Sequence, residues 1–401
     1  MTAPHVPHDT THFGRAMRAQ WGLDPAVTYL NHGTVGAPPL RVLAAQQAIR
    51  DAIERQPSRY LLRELAQIAV ETQAATPRMR VAAAAVGEFV GARGADLVFV
   101  DNVTSGINAV LRSLEFEAGD EILVTDLGYG AVTNTASYVA RRCGASVRTV
   151  ELPLPAAGAG AIADAYVAAL GPRTRLAIVD HITSESALIL PVLEIAARCH
   201  TRGVPVLVDG AHAPGAIALD VPALGADWYA ANLHKWAFSP RSCGFLWAAA
   251  ERQAEIHPPV ISWGLDQGWT AEFDWVGTRD PSAYLAAPEG IAFQREFGLE
   301  ALRAYNHALA WEAARMLSAR FGTAPGVPEA MVGTMATIPL PQALGSLSEH
   351  AVALRNALLF EDGIEVQMHV ARGQLCVRIS AQIYNELADY ERLADAVLAR
   401  A

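Results

Sequence analysis

Lys235 is the only lysine of this 401-residue chain, although lysine and arginine together number 31. It lies in the run Asn232-Leu233-His234-Lys235-Trp236, directly after an apolar stretch typical of a strand. A lysine amine can form an imine with a carbonyl group, and a lowered pKa makes it a better nucleophile and base. Any lysine chemistry of this chain must therefore use Lys235. The alternative, a surface lysine left by a bias towards arginine, must be judged from the neighbouring residues.

Asp209 follows a second apolar run, about 26 residues before Lys235. A lysine that forms an imine with pyridoxal phosphate needs a carboxylate beside the pyridine nitrogen, because the protonated ring withdraws electrons from a carbanion. An aspartate next to that cation is expected to stay ionised. Asp209 and Lys235 supply this pair, and a simple turn residue is the alternative for Asp209.

The elements that must position these residues alternate between β-rich and helical runs from about residue 95 to 250. Strands are predicted at residues 97–100, 121–125, 146–151, 176–180, 206–208, 228–231 and 244–247. Helices with apolar residues at three- and four-residue spacing are predicted at 105–114, 131–142 and 193–202. This order predicts an α/β fold whose large domain holds a mostly parallel seven-stranded sheet with helices on both faces.

Polar residues follow several of these predicted strands. Asp126, Asp180, Asp209 and Asn232 all fall at or just past a carboxyl end. In an open parallel sheet these ends form the edge where ligands bind. We therefore expect a ligand site along this edge.

The pattern changes after about residue 275. Longer helices are predicted at 288–296 and 299–320, followed by strands near 332–338, 364–367 and 374–379. This order is typical of a smaller α+β domain. We predict an N-terminal arm (residues 1–28), a large domain (29–275) and a small C-terminal domain (276–401).

Composition excludes several classes of protein. A net charge of −10 disfavours nucleic-acid binding, which needs clustered cations. The sequence has no apolar run of the ~18 to 20 residues that span a bilayer, so no membrane partner is predicted. The N-terminus has no basic segment followed by an apolar one, so we expect a cytoplasmic protein.

Metal sites are also not predicted. The cysteines are far apart, with no C-x-x-C pair, and resemble buried small apolar residues; they are Cys143, Cys199, Cys243 and Cys376. His5, His8 and His12 have no carboxylate or cysteine partner at ligand spacing. We expect no metal site.

Six segments, in order, carry a resemblance to a known family. They are YLNHGTVGAPP at 29–39, DNVTSGINAVL at 101–111, VDGAHAPG at 208–215, NLHKW at 232–236, WVGTRDPSAYLA at 275–286 and VRISAQIYN at 377–385. The chain resembles class V aminotransferase-like enzymes of the fold type I group, which use pyridoxal 5'-phosphate. The likeness is closest to isopenicillin N epimerase-like and cysteine desulfurase-like members.

This resemblance implies roles around the cofactor ring. Lys235 would carry the internal aldimine, Asp209 would pair with the pyridinium nitrogen, and His212 would lie near the phenolic oxygen. Tyr129 would stack on the ring. His181 and Ser184 are expected to line the pocket nearby, although core packing of Tyr129 and a helix start at Ser184 are alternatives.

The cofactor's phosphate is expected at the start of a predicted helix. There the backbone amides of Val103-Thr104-Ser105 and the hydroxyls of Thr104 and Ser105 can face an anion. Thr104 can also cap that helix. By resemblance, Asn232 and His234 reach the same phosphate. Thr278 would reach it from a neighbouring subunit, which implies a homodimer with shared active sites.

Other residues point to an amino-acid substrate. Arg378 matches the family position that binds the substrate's carboxylate, which a guanidinium holds through two parallel hydrogen bonds. Asn31, His32 and Gly33 are expected to fold over the pocket. Trp263, Trp269 and Trp275 are candidates for shaping the approach, with ordinary packing as the alternative.

Several reactions remain open. Motif likeness favours an epimerase or racemase, in which Lys235 removes the Cα proton and a second acid, Tyr129 or His181, returns one from the other face. A carbon–sulfur β-lyase needs only the lysine, and aminotransferase chemistry or a non-catalytic protein that binds the cofactor are further alternatives. Desulfurase chemistry is disfavoured, because residues 361–372 hold no cysteine and Cys376 lies on the predicted strand of Arg378.

Overall fold

The computed structural model describes residues 13–66, 76–154 and 158–401. His5, His8 and His12, with most of the predicted N-terminal arm, lie outside the described residues.

The strands predicted from the apolar runs are present, and the structure adds two that the pattern does not predict, Thr28–Tyr29 and Gln367–Ala371. In chain order they are β1 (Thr28–Tyr29), β2 (Leu97–Val100), β3 (Glu121–Thr125), β4 (Ser146–Val150), β5 (Thr174–Asp180), β6 (Val206–Asp209), β7 (Trp228–Asn232), β8 (Gly244–Ala248), β9 (Met335–Pro339), β10 (Ile364–Glu365), β11 (Gln367–Ala371) and β12 (Gln374–Ser380). The strands of the large sheet match the predicted bounds within two residues at each end.

The helices connect and cover these strands. They are α1 (His32–Val35), α2 (Leu40–Arg55), α3 (Pro57–Arg59), α4 (Arg78–Phe89), α5 (Val103–Ser113), α6 (Gly130–Cys143), α7 (Ala159–Ala169), α8 (Val192–His200), α9 (Trp269–Asp274), α10 (Ser282–Leu285), α11 (Ala287–Phe297), α12 (Leu299–Phe321), α13 (Ser348–Phe360) and α14 (Leu387–Leu398). A π-helical turn, Tyr60–Leu65, follows α3. Among the described helices, none combines the length and apolar character needed to cross a membrane.

Within the described residues, seven strands form the large sheet in the order β2-β8-β7-β6-β5-β3-β4. The strands from β7 to β4 run parallel, while β8 is antiparallel to both of its neighbours. Both faces are covered, so strands such as β6 and β7 are buried along their whole length. The predicted α/β fold with a mostly parallel seven-stranded sheet is confirmed.

The C-terminal region forms a second core. Strands β11, β12 and β9 make an antiparallel sheet, against which α12, α13 and α14 pack. Strand β1 pairs with β10, and Leu30 is buried in this second core. The side chains of Ala283, Tyr284 and Ile291 instead pack into the core of the large sheet. The packing thus crosses both domain boundaries that the pattern predicts.

Candidate active site

A cavity of about 280 Å³ opens at the carboxyl edge of the large sheet. Asp180 ends β5, Asp209 ends β6, and Asn232 ends β7, three residues before Lys235. The start of α5 and Tyr129 complete this part of the lining. The parallel strands thus bring residues from distant parts of the sequence to one place.

Lys235 is half-buried at the end of this edge, and its Nζ lies 3.1 Å from His212 Nε2. The indole of Trp236 donates a hydrogen bond to His212 Nδ1 over 3.3 Å, so the neutral ring carries its proton on Nε2. Burial, helped by the charge of Arg378, lowers the pKa of Lys235 to about 7. Burial and the Lys235 charge hold the pKa of His212 well below its usual value. A neutral Lys235 amine therefore accepts the His212 proton.

Asp209 has one carboxylate oxygen in use and one without a partner. Its Oδ1 accepts the Ala211 backbone N–H over 2.9 Å, whereas Oδ2 is buried with no hydrogen-bond partner among the described residues. Burial raises the pKa of Asp209. An orphaned buried carboxylate oxygen is costly unless a donor from outside the chain satisfies it. A protonated pyridine nitrogen is such a donor.

Asp180 is a lining residue to which sequence reasoning gave no role beyond its place at a strand end. It stands directly opposite Asp209 in the parallel register of β5 and β6. Burial, reinforced by the charge of Asp209, raises the pKa of Asp180 well above its ordinary value. Asp180 and Asp209 thus form a buried pair of carboxyl groups in which burial and mutual repulsion both favour protonation of Asp180.

The start of α5, where the phosphate is expected, forms one end of the cavity. Val103 and Thr104 line it, whereas Ser105 is absent from the lining that the described residues form. Asn102 is the N-cap residue, and its side chain accepts the Ser105 backbone N–H over 3.0 Å. The Asn232 side chain accepts the Val103 backbone N–H over 2.9 Å. The capping role predicted for Thr104 thus belongs to Asn102, which leaves Thr104 facing the cavity.

Two further side chains surround this end. His234 lines the cavity, and its Nδ1 lies 2.9 Å from the Cys243 carbonyl oxygen, so Nε2 is the ring atom left for a ligand. Burial lowers the pKa of His234 to about 4. Arg241, which sequence reasoning missed, also lines the cavity and donates to the Gly36 carbonyl over 3.0 Å. Arg241 could have been found from the sequence, because it lies in the same connection between two predicted strands as Lys235.

Tyr129 and His181 occupy different environments. Tyr129 lines the cavity and keeps 47% of its surface exposed. His181 is buried with its Nδ1 2.8 Å from the Tyr229 hydroxyl, and it is not part of the cavity lining formed by the described residues. Burial lowers its pKa to about 4. Ser184 lines the cavity as expected, whereas the lining position expected for His181 is taken by Asp180 and Ile182.

Arg378 lies behind the cavity wall. One Nη atom donates to the Ser184 carbonyl over 2.5 Å, and the other donates to Thr34 Oγ1 over 2.7 Å and Asn31 Oδ1 over 3.3 Å. Its Nε is buried without a hydrogen-bond partner in the described part of the chain. Burial lowers the pKa of Arg378 to about 10. Its partners Ser184 and Thr34 line the cavity, whereas Arg378 is absent from the lining that the described residues form.

The segment from Asn31 to Gly33 supports the site rather than lining it. The His32 ring is fully buried between the Tyr384 hydroxyl, 2.8 Å away, and the Lys235 carbonyl, 3.0 Å away. The Gly33 amide donates to Ser380 over 3.0 Å. In the described structure the cavity is instead lined by the next two residues, Thr34 and Val35. Residues 31–33, which were expected to fold over the pocket and bind the substrate, thus do not line the cavity of the described structure. His32 instead holds the turn that carries Lys235.

A family model described as aminotransferase class-V matches residues 42–393. The chain belongs to the aminotransferase class-V family. Its relatives include a putative L-cysteine desulfhydrase 1 from Oryza sativa subsp. japonica, 34% identical, with 93% of this chain and 83% of the relative aligned. Isopenicillin N epimerase from Streptomyces clavuligerus is also 34% identical, with 95% and 96% aligned.

Solved structures share the fold of this aminotransferase class-V protein. A C-DES mutant with glycine covalently linked to the PLP cofactor has a TM-score of 0.78 at 24% identity, covering 96% of this chain and 99% of its own. The apo structure of a cysteine desulfurase from Thermococcus onnurineus NA1 also has a TM-score of 0.78, at 21% identity and full coverage of both chains. At these identities the likeness shows the fold.

The cofactor of this class V protein is pyridoxal 5'-phosphate, and the described residues fit it. The unpartnered Asp209 Oδ2 matches the pyridine nitrogen, and the buried Lys235 amine matches the aldehyde. The start of α5, with Thr104 and His234, offers donors at the opposite end for the phosphate. When bound, the cofactor supplies an electron sink for a carbanion at the substrate's Cα.

The remaining predicted residues lie outside this cavity. Thr278 is exposed, and it is absent from the lining formed by the described residues of its own chain. Trp263 is 79% exposed, Trp269 packs against Phe273 in the core, and Trp275 packs partly against the large core. The three tryptophans therefore do not line the cavity within a single chain.

Proposed function

We propose that this class V enzyme is a carbon–sulfur β-lyase that acts on a small sulfur amino acid of the L-cysteine type. The Cα proton leaves, the Cβ–S bond breaks, and the sulfur departs as sulfide, while the remaining carbon skeleton is hydrolysed to pyruvate and ammonia. No oxidant or second substrate other than water is needed. The L-cysteine desulfhydrases among the relatives support this proposal.

The placement of His181 is the observation that carries the choice between lyase and epimerase. Epimerisation needs a second acid on the face opposite Lys235, and β-elimination does not. The His181 ring is turned to Tyr229 and buried outside the cavity lining of the described residues, which removes one of the two candidates. Lys235, with a pKa lowered to about 7, can act alone as the base that β-elimination requires.

We assign the other roles to residues of this chain. His212 holds the Lys235 amine in place through its Nε2 proton. Asp209 keeps a proton on the pyridine nitrogen, while burial and the charge of Asp209 raise the pKa of the neighbouring Asp180 and so disfavour a second negative charge there. The cavity of about 280 Å³ must hold cofactor and substrate together, which favours a small substrate over a peptide.

Epimerase activity is the second candidate, because Tyr129 remains in the cavity lining with an exposed side chain. A hydroxyl there can return a proton on the face opposite Lys235. Persulfide chemistry is not proposed. Cys376 is buried, its Sγ lies 3.5 Å from the Gln374 carbonyl, and burial raises its pKa to about 11.

Turnover in deuterated water tests the proposal. We expect L-cysteine to yield sulfide and pyruvate in equal amounts, with Tyr129→Phe retaining most of this activity. Deuterium at Cα of recovered amino acid of inverted configuration, lost in Tyr129→Phe, would instead establish the epimerase. A keto acid formed only with an added amino acceptor would identify an aminotransferase.

We also propose that the enzyme is a homodimer in which Thr278 contacts the phosphate bound by the other subunit. Thr278 is exposed and lies outside its own cavity. A run of exposed apolar side chains precedes it, and large exposed apolar patches mark interaction surfaces; these are Val260, Ile261, Trp263 and Leu265. Light scattering should give twice the chain mass, and Thr278→Ala should weaken cofactor binding. A fully active monomer would rule this arrangement out.

A further inference from the structure

Arg372, in the hairpin between β11 and β12, contacts the large domain. Arg372 donates from a single Nη atom to Asp126 Oδ2 over 2.6 Å and to the Leu152 carbonyl over 2.5 Å. Asp126 is held in turn, because its Oδ1 accepts the Leu152 backbone N–H over 3.0 Å. These contacts join the two domains across a distance of 246 residues in sequence.

The backbone at Arg372 indicates that its side chain has a role of its own. Ala371 pairs with Gln374, so Arg372 and Gly373 are the two central residues of the turn, with φ values of 49° and 77°. Such turns favour asparagine and glycine at the first of these positions, and an arginine there carries a conformational cost. The contacts to Asp126 and Leu152 offset that cost.

Each side of this contact leads directly to a wall of the cavity. Asp126 begins the short loop that leads to Tyr129. This loop is a tight turn, in which the Gly128 N–H donates to the Thr125 carbonyl. On the other side, β12 runs from the hairpin to Arg378 between two antiparallel neighbours, β11 and β9. Because β12 is hydrogen-bonded on both sides, we expect a shift of the hairpin to move Arg378 with it.

We propose that Arg372 is a positioning residue that sets the spacing between Tyr129 and Arg378 by bonding to Asp126. Tyr129 belongs to the large domain and Arg378 to the small-domain sheet, so this spacing depends on contacts between the two. A substrate held by its carboxylate near Arg378 and packed beneath Tyr129 would then bind less well when the contact is lost. Placing the substrate's carboxylate near Arg378 rests on the proposed function, in which the substrate is an amino acid.

Steady-state kinetics of the holoenzyme supply the first test, with Arg372→Ala and Asp126→Asn. Both side chains of this pair are partly exposed, so each variant should raise KM for the amino acid about threefold to fivefold, with kcat within about twofold. The double variant should be no worse than either single one, and Arg372→Lys should recover part of the loss. The matched control is Arg320→Ala, which removes a similar 2.7 Å contact to Asp395 within the small domain and should change nothing.

Hydrogen exchange of the holoenzyme supplies the second test, and it does not depend on turnover. We expect faster exchange of residues 126–130 in Arg372→Ala and Asp126→Asn, and unchanged exchange in Arg320→Ala. Unchanged exchange and KM in a folded Arg372→Ala, or additive effects in the double variant, would overturn the proposal. If no amino acid is turned over but the exchange changes as described, the proposed function fails while the link between hairpin and loop stands.

Discussion

The two halves of the active site are built in different ways. The half that fits the cofactor comes from the carboxyl ends of neighbouring parallel strands, where Asp209 and Lys235 follow short buried segments. The half assigned to the substrate comes from three distant segments, which meet where Arg378 bonds Thr34 and the Ser184 carbonyl.

This difference has a physical consequence. In the cofactor half, polar atoms such as Asp209 Oδ2 have no partner in the described chain and await one from the cofactor. In the substrate half, the polar atoms largely satisfy one another, although the Nε of Arg378 has no hydrogen-bond partner among the described residues. We therefore expect changes in the first half to affect chemistry and cofactor binding, and changes in the second to affect substrate affinity and stability.

Lys235→Ala should have the largest effect. The variant loses the chain's only amine of this type, so activity should fall about a thousandfold or more. Borohydride reduction followed by mass spectrometry should locate the cofactor on the Lys235 peptide of the native protein, and on no peptide of the variant. Attachment elsewhere would refute the role assigned to this residue.

Asp209→Asn should come next, with a loss of activity of about a hundredfold, because the amide cannot hold the pyridine proton as a carboxylate does. The apoprotein offers a separate test. Burial raises the Asp209 pKa above 3.8 in the folded chain, so the folded state binds more protons and stability falls as pH rises from there towards the folded pKa. Urea unfolding of apoprotein at several pH values should show a shallower fall for Asp209→Asn. An unchanged slope would contradict the buried ionisation.

Arg378→Ala tests the substrate half. It should raise KM for an amino acid about tenfold or more, and it should also destabilise the fold by roughly 2–3 kcal/mol, since Asn31, Thr34 and Ser184 lose their donor. Thermal unfolding and kinetics measure the two effects. Arg378→Lys keeps the charge, so its KM and its thermal stability should lie between those of the native protein and of Arg378→Ala. A change in kcat alone would place the residue with the cofactor half instead.

The smallest effect is expected from two neighbouring hydroxyls. Thr104 lines the cavity and Ser105 does not, although they are adjacent at the start of α5. Thr104→Ala should weaken binding of pyridoxal phosphate about tenfold, as expected for a lost hydrogen bond to a charged group. Ser105→Ala is the matched control and should bind normally. Equal effects would mean that helix stability, and not contact with phosphate, is being measured.

The sequence allowed accurate prediction where local pattern and function coincide. The strands of the large sheet matched within two residues, because each is a short apolar run bounded by polar turns. The N-cap of α5 is Asn102, a residue type favoured there, whereas only Thr104 was considered as a cap from the sequence, as an alternative to its phosphate role. His181 was expected to line the cavity, but the preceding residue, Asp180, lines it instead. Neighbouring side chains at a strand end point to opposite faces, so an error of one residue in the sequence changes which side chain is expected to face the cavity.

Composition and strand periodicity by themselves indicated the fold class and the single lysine, because periodicity and a unique residue type are local properties of the chain. The family with its cofactor came from the resemblance of six segments to known enzymes. Only the tertiary structure decided which side chains face the cavity, that Arg378 is already bonded to Asn31 and Thr34, and that Arg372 meets Asp126. These contacts depend on how two separately packed cores meet, and the spacing of residues along the chain does not encode that.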